Sequence, residues 1–249
     1  MGATREIAEK IADKIEIDAY DGIETGKILN LIFRELSYYR PIVKHTFDLR
    51  KALSLMKSKP DFELFVQTLL SEHGYSVTPN QIIRGKCGEH EVDGIARRNG
   101  ITYIVEAKHH FNYHTPTGLD VSRIARAIIE DVTEGYEAGL TNLKIDKALI
   151  VCNTKLSEHA RSYAECRGIQ HIGCGYPANE DLRAMIEEKK LYPVTYLREL
   201  NELSRDRLVS AGIILLKQLV SEPEKISMKT GINNGALKII VDRANAMLL

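Results

Sequence analysis

The pattern that most constrains the fold is a series of strand-like segments between residues 91 and 152. Residues 91–97 and 101–108 are separated by Arg98-Asn99-Gly100, and Asn-Gly between two such segments favours a tight β-hairpin. Residues 148–152, Ala-Leu-Ile-Val-Cys, are continuously apolar, which is typical of a strand buried on both faces of a sheet. Because an amphipathic stretch at residues 119–137 lies between them, we expect a crossover helix and a mixed sheet.

Neighbouring segments complete an α/β core. The further predicted elements are a helix at residues 62–73, a strand at 75–83, a helix at 158–166 and a strand at 169–172. Asp61 is expected to cap the first of these helices. The order is helix, three-strand meander, helix, strand, helix, strand, which places helices on both faces of the sheet.

Helical periodicity dominates the sequence outside this core. Near the start, Ile7, Ile11 and Ile15 recur four apart, as one apolar face of a helix requires. The last part of the chain has the same kind of pattern. We therefore predict a helical domain at 1–59, an α/β core at 60–194 and a second helical domain at 195–249.

Composition excludes several classes of protein. The 249 residues include 34 Lys plus Arg, 34 Asp plus Glu and 44% hydrophobic residues, which excludes a disordered chain. No apolar run approaches the ~20 residues that cross a bilayer, and residues 1–15 do not resemble a signal peptide. The four cysteines form no C-x-x-C pair, which indicates free thiols rather than a zinc ribbon. We expect a cytoplasmic protein without a membrane partner.

The hairpin carries the residues with the clearest chemical meaning, Asp93 and Glu106-Ala107-Lys108. Side chains alternate along a strand, so Glu106 and Lys108 point to one face, and Asp93 is expected to reach the same face. Two carboxylates placed close together favour a cation between them, and Mg²⁺ is typically held by one or two carboxylates plus substrate phosphate. Lys108 can stabilise developing charge or assist deprotonation of water. The pattern indicates metal-assisted hydrolysis of a phosphodiester.

A plainer interpretation competes with this one. An isolated E-x-K on a strand is usually a solvated ion pair worth ~0–1 kcal/mol. The apolar neighbours and the third carboxylate favour the metal site. His109, His110 and His114 lack the spacing of a helical zinc site, and Mg²⁺ does not favour histidine, so we expect them to line the cleft or form a polar loop.

Asp93 followed by Glu106-Ala107-Lys108 resembles the D…(D/E)-x-K signature of the PD-(D/E)XK nuclease superfamily. The resemblance is greatest to the Mrr-like restriction endonucleases and the archaeal Holliday-junction resolvases. It implies a restriction-endonuclease-like core in which Asp93 and Glu106 hold Mg²⁺, for which Mn²⁺ can substitute. Val92 stands where that superfamily often has proline.

The predicted helix Phe62-Glu63-Leu64-Phe65, with Gly74-Tyr75 after it, is similar to the opening helix of the same superfamily. This similarity implies that Glu63 is an additional carboxylate of the metal site. The alternative is that Glu63 only interacts with the helix dipole, as acidic residues in a first turn commonly do.

The C-terminal section resembles paired helix-hairpin-helix domains, whose turns present backbone N–H groups to DNA phosphates. The matching phrases are Ala211-Gly212-Ile213 and Thr230-Gly231-Ile232-Asn233-Asn234-Gly235. The resemblance implies DNA contacts at Gly212, Gly231, Ile232 and Gly235. The alternative is a helical bundle that packs on the core or mediates dimerisation.

The N-terminal section resembles the helical second half of an ATP-cone domain, through residues 8–15 and 23–28. The strand hairpin that forms the nucleotide-binding first half is missing. We therefore expect no nucleotide binding, and a role in packing or dimer contacts.

The leading functional prediction is a Mg²⁺-dependent DNA endonuclease of the restriction or DNA-repair type. Nucleases of this class often cut both strands as dimers, so a homodimer is compatible with it. The alternatives are a non-catalytic DNA-binding or regulatory protein on a nuclease-derived fold, and a nucleotide-responsive regulator. The DNA target is left open between methylated, site-specific and branched DNA.

The zero net charge averages over unequal sections. Residues 1–59 carry 11 basic and 9 acidic residues, residues 60–194 carry 15 and 19, and residues 195–249 carry 8 and 6. The acidic excess lies in the section expected to bind metal. Without a strongly basic section, DNA binding is expected to be modest and to depend on low salt and divalent metal.

Overall fold

A single five-stranded mixed sheet organises the chain, whose computed structural model describes residues 4–248 apart from the side chains of residues 42 and 45. The strands are β1 (Ser76–Arg84), β2 (Glu89–Arg98), β3 (Ile101–Lys108), β4 (Lys147–Cys152) and β5 (Gln170–Ile172). They lie in chain order. β1, β2 and β3 are antiparallel neighbours, whereas β3, β4 and β5 run parallel. The predicted meander followed by crossover connections is confirmed.

Eleven α-helices surround the sheet within the described residues. They are α1 (Arg5–Asp18), α2 (Thr25–Tyr39), α3 (Leu49–Ser54), α4 (Glu63–Glu72), α5 (Leu119–Glu137), α6 (Glu158–Cys166), α7 (Leu182–Lys189), α8 (Glu202–Ser210), α9 (Leu216–Ser221), α10 (Pro223–Thr230) and α11 (Asn234–Leu248). Within residues 4–248, none of these helices combines the length and apolar character that a bilayer crossing requires.

The turn between β2 and β3 has the geometry that its sequence favours. Asn99 and Gly100 have φ values of 52° and 76°. Positive φ at both central residues matches the right-handed twist of the flanking strands, which is why Asn-Gly is favoured there. The turn sets the register of the hairpin, in which Gly94 pairs with Val105.

The central strands are buried on both faces. On one face, Val105 and Ala107 of β3 belong to a large core that includes α4, α7 and the C-terminal helices. On the other face, Ile104 packs in a second core with α5 and α6. This double burial explains the continuous apolar run of β4 and places the end of β3 between two layers of helices.

The flanking helices differ in how they pack. α3 and the C-terminal helices α8–α11 contribute to the same large core as α4. α1 and α2 instead share a small separate core of Ile11, Leu36 and Val43. The N-terminal pair of helices therefore has a core of its own, separate from the two cores of the sheet.

Before α4, the chain makes a kinked turn at Ser58–Phe62, in which Lys59 has an extended backbone with φ −125° and ψ 138°. Asp61 does not cap α4 as its position in the sequence suggests. Its side chain accepts a hydrogen bond from the Lys57 N–H at 3.1 Å, and Phe62 occupies the N-cap position without a side-chain hydrogen bond. Asp61 thus closes the turn before α4, because its carboxylate accepts the N–H of Lys57, four residues earlier. Lys59 lies within this turn.

Asp131 of α5 holds the turn between β1 and β2 against the helix. Its carboxylate accepts N–H groups of Cys87 at 2.7 Å and Gly88 at 3.3 Å, and it lies 2.7 Å from Nε2 of His90. Hydrogen bonding, from His90 above all and then from the Cys87 backbone, holds the pKa of Asp131 well below its ordinary value.

We expect Asp131→Asn to lower Tm near neutral pH. The folded-state pKa is depressed, so the stabilisation is present above the ordinary aspartate value of about 3.9 and is lost as the pH falls through the folded-state value. Thermal melts at about pH 7 and about pH 3 measure the effect. The difference in Tm between Asp131→Asn and the parent should be smaller at the lower pH. The exposed neighbour Glu130 supplies the control, Glu130→Gln. A gap that stays constant with pH would contradict the assignment.

Candidate active site

The carboxyl end of β3 presents an ion pair. Glu106 Oε1 and Lys108 Nζ are 2.5 Å apart, and both side chains are partly exposed. They lie on one face of the strand because they are two positions apart, and they alternate with Val105 and Ala107, which face α4. The predicted E-x-K pair is therefore formed at the end of a strand that is otherwise buried.

The side chain of Asp93, on β2, is held at this strand end by a hydrogen bond from the backbone of β3. The backbone pairing between β2 and β3 ends at Gly94 and Val105. Beyond that pair, the side chain of Asp93, rather than a backbone carbonyl of β2, accepts a hydrogen bond from β3. Its Oδ2 accepts the Ala107 N–H at 2.7 Å, while Gln67 of α4 donates to the Asp93 carbonyl at 3.3 Å. One Asp93 oxygen is thus held beside the E-x-K segment.

Glu63 opens α4 next to Asp93. Its side chain is 9% exposed and its Oε1 lies 2.9 Å from Lys59 Nζ. Burial raises the pKa of Glu63 above its ordinary value, and the carboxylate of Asp93 raises it further, whereas the ammonium of Lys59 opposes both effects. Asp93 is therefore close enough to disfavour the charged form of Glu63.

Lys59 is a site residue that the sequence reasoning missed. Besides Glu63, its ammonium lies 3.7 Å from Asp93 Oδ1 and 3.8 Å from Glu91 Oε1, although its side chain is 62% exposed. The pKa of Lys59 is raised, first by its hydrogen bond to Glu63. The only local signal was its spacing of four from Glu63, which is too common among surface ion pairs to single it out.

The four predicted site residues form two pairs. Glu63 lies with Asp93 around Lys59, and Glu106 lies with Lys108. The Asp93–Ala107 hydrogen bond connects the pairs. Across residues 4–248, no three carboxylate, histidine or cysteine groups converge closely enough to form a metal site from protein ligands alone.

This donor set fits Mg²⁺ chemistry all the same. Mg²⁺ keeps several waters and usually takes only one or two carboxylates, with substrate phosphate supplying further oxygens. A buried carboxylate with a raised pKa beside a second carboxylate is an arrangement that a cation stabilises. Lys59 supplies that positive charge in this structure, through a side chain that is 62% exposed.

The three histidines after β3 do not form a metal cluster. His109 Nε2 lies 3.0 Å from the Leu53 carbonyl, and burial lowers the pKa of its ring. His110 bonds through its ring to Thr117 at 3.0 Å, and burial lowers its pKa as well. His114 lies against Tyr113, with ring centroids 4.3 Å apart. Two of the three thus anchor the loop that leaves β3.

The C-terminal glycines lie at helix ends. Gly212 and Gly231 follow α8 and α10 with φ values of 77° and 64°, and their N–H groups donate to Val209 and Ser227. Ile232 is buried, and its N–H lies 3.3 Å from Thr230 Oγ1. Gly235 donates to Asn233 Oδ1 at 2.8 Å. All four predicted donors therefore already have partners inside the chain.

Two family models match separate parts of the chain. The Mrr model described as Restriction endonuclease matches residues 55–173, and the model described as AF1548-like, C-terminal matches residues 192–248. The first contains the candidate site and supports the nuclease-like core that the sequence predicts. The second covers the section in which the sequence resembles helix-hairpin-helix domains, and it names neither that motif nor a DNA contact.

Relatives of the chain extend this result. An uncharacterized protein of Archaeoglobus fulgidus is 35% identical over 180 residues, which are 72% of this chain and 98% of that protein. A crystal structure titled as the protein of unknown function AF1548 is 34% identical, covers 74% of this chain and 94% of that chain, and has a TM-score of 0.62. The chain therefore belongs to the AF1548-like family and contains a restriction-endonuclease-like domain.

Proposed function

We propose that this protein is a Mg²⁺-dependent DNA endonuclease of the restriction or DNA-repair type. The observation that carries the proposal is the meeting of two acid–lysine groups at the carboxyl end of β3. One is Glu63 and Asp93 around Lys59, and the other is Glu106 with Lys108. Charged groups are rarely concentrated beside buried strands unless they have a use there.

Each side chain has a role that its position supports. Asp93 and Glu106 are the proposed metal-holding carboxylates, and Glu63 adds a third. These carboxylates would hold a Mg²⁺ ion, which would supply Lewis-acid polarisation of the phosphodiester and a lower pKa for the attacking water. Lys108, whose ammonium is held by Glu106, stabilises negative charge that develops on the phosphate. The hydrogen bond from Ala107 fixes Asp93, so its other oxygen, Oδ1, is directed toward Lys59 at 3.7 Å.

Cleavage of a DNA panel tests the function. The panel contains supercoiled plasmid, linear duplex, methylated duplex and a four-way junction, each incubated with Mg²⁺, Mn²⁺ or EDTA. We expect metal-dependent cutting of at least one substrate. Absence of cutting on every substrate, by a folded protein that binds DNA, would favour the rival non-catalytic function.

The rival has one observation in its favour. The two lysines of the site already balance two of its three carboxylate charges without a metal. Calorimetric titration of the parent protein with Mn²⁺ separates the two functions, because a DNA-binding protein on a retired nuclease fold has no need to bind the ion.

Lys59→Met is expected to strengthen Mn²⁺ binding about three- to tenfold, because the ammonium competes for Glu63 and Asp93. The binding constant is measured by calorimetry at about pH 8, because a higher pH favours the ionised form of Glu63, whose pKa is raised. The matched control is Lys57→Met. Lys57 is similarly exposed and forms a 2.9 Å ion pair with Asp206, outside the site.

The comparison of these two lysine variants tests whether the metal ion binds next to Lys59. Equal Mn²⁺ affinity in the parent, Lys59→Met and Lys57→Met would contradict a metal position next to Lys59. Weaker binding in Lys59→Met alone would show that the lysine supports the acidic cluster rather than competing with the ion.

Two further features belong to the same proposal. The four cysteines are unpaired, which fits a reducing compartment.

The turn at Gly231 and Gly235 is exposed and lies near the basic side chains Arg207 and Lys229, and we place a secondary contact with the DNA backbone there. Because the N–H groups of this turn are already engaged, we assign the contact to those basic side chains.

A further inference from the structure

The loop that leaves β3 immediately after Lys108 has a fixed base. His109 is held at the Leu53 carbonyl, and the His110 N–H donates to Asn153 Oδ1 at 2.7 Å. The side-chain amide of Asn153 donates back to the His110 carbonyl at 2.8 Å. The direction in which the following residues leave the sheet is therefore fixed by the Leu53 carbonyl and the Asn153 side chain, which belong to two other segments.

The tip of the same loop is exposed and aromatic. Phe111 is 73% exposed, which is unusual for a large apolar ring. Lys51 Nζ lies 5.7 Å from its ring centroid and 6.0 Å from that of Tyr113. The guanidinium of Arg50 lies 5.3 Å from the Tyr113 ring and donates to the Tyr113 carbonyl at 2.6 Å. We call these four residues, Arg50, Lys51, Phe111 and Tyr113, the aromatic platform.

The aromatic platform is near the proposed site of cleavage. Phe111 is three residues after Lys108, so their Cα atoms are at most about 11 Å apart. Successive nucleotides of one strand in B-form DNA rise about 3.4 Å each. A phosphate held at Lys108 would therefore place one of the next few nucleotides of the same strand at Phe111.

We propose that the aromatic platform binds an unstacked nucleobase next to the cleaved phosphate, so that the substrate is DNA with single-stranded or unpaired nucleotides beside the cut. The inference rests on the proposed nuclease function and specifies its substrate class. An exposed ring offers a stacking surface to any base, and the two cations meet the adjacent phosphates. Bases inside an intact duplex are already stacked on each other and do not present a free face to such a ring.

Fluorescence anisotropy tests the proposal with full-length protein and two labelled ligands of equal length, a single-stranded oligonucleotide and a blunt duplex. Low salt and Ca²⁺ in place of Mg²⁺ favour binding, and a denaturing gel of the labelled ligands checks that they stay uncut. We expect Phe111→Ala to weaken binding of the single strand about 5- to 100-fold and to change duplex binding little. Phe111→Tyr should retain binding, whereas Phe111→Leu should not, because it keeps apolar area but loses the aromatic face.

Tyr38→Ala is the matched control, since Tyr38 is an equally exposed ring on α2. The proposal is overturned if Phe111→Ala binds like the parent, if it loses single strand and duplex equally, if Phe111→Leu matches Phe111→Tyr, or if the parent binds no DNA. Because the assay measures no cleavage, its result is independent of the catalytic residues. If the binding test contradicts base stacking, the proposed nuclease function still stands. If the protein cuts no DNA, the proposed role of the aromatic platform in binding still stands.

Discussion

Asp93→Asn is expected to reduce the rate of DNA cleavage about 10²- to 10³-fold, the range typical for losing one preorganised electrostatic group. The amide has nearly the same size as the carboxylate, and its oxygen can still accept the Ala107 N–H that Asp93 accepts at 2.7 Å. The geometry of the strand end should therefore persist while the negative charge is lost. The measurement is the initial rate of plasmid nicking in Mg²⁺, with a thermal melt to show that the variant is folded.

Glu89→Gln provides the control for that change. Glu89 is an exposed carboxylate on the same strand as Asp93, so the substitution removes one charge from β2 but none from the site. Its cleavage rate should equal that of the parent. If Asp93→Asn also cuts at the parental rate, the assignment of Asp93 to the metal site is wrong, whatever the fold resembles.

The sheet was predictable because each strand carries a local signal. The Asn-Gly turn fixes the β2–β3 register, and the continuous apolar run of β4 requires burial on both faces. An amphipathic helix of the right length supplies the crossover between them. These signals agree with one another, and agreement between local and global preferences is what specifies a single fold.

The candidate site was predictable only in part. Asp93, Glu106 and Lys108 are defined by strand positions, and period-two alternation relates Glu106 to Lys108. Lys59 could not be found this way, because its place depends on the turn that Asp61 closes by bonding back to Lys57. Asp61 has the residue type of a helix cap, but sequence spacing alone does not say toward which turn a carboxylate points.

The exposed ring of Phe111 illustrates the same limit. In the sequence, Phe111 among histidines indicates only a polar loop with one apolar residue. Its meaning comes from α3, which lies about 60 positions earlier and contributes Arg50 and Lys51 to the rings. Contacts between segments so far apart in the sequence arise from packing of the core. The hydrophobic periodicity of each segment does not show which segments pack together.

Phe62→Ala is expected to lower the free energy of unfolding by about 3–5 kcal/mol, the range found for removing a buried phenylalanine side chain. Phe62 is 0% exposed, and its ring centroid lies 6.2 Å from that of Phe65 and 5.4 Å from that of His109. It thus connects the start of α4, which carries Glu63, with the loop after Lys108. Because single domains are typically stable by only 5–15 kcal/mol, the loss is a large fraction of the total.

Urea unfolding followed by circular dichroism measures the effect of this substitution, and Phe111→Ala supplies a control with the same chemical change. Phe111 is exposed, so its truncation should alter the free energy of unfolding by no more than about 0.5 kcal/mol. Equal losses in the two variants would mean that Phe62 is not part of the core. A loss confined to Phe62→Ala would show that Phe62 stabilises the packing of α4 against the loop after Lys108, since its ring contacts both Phe65 and His109.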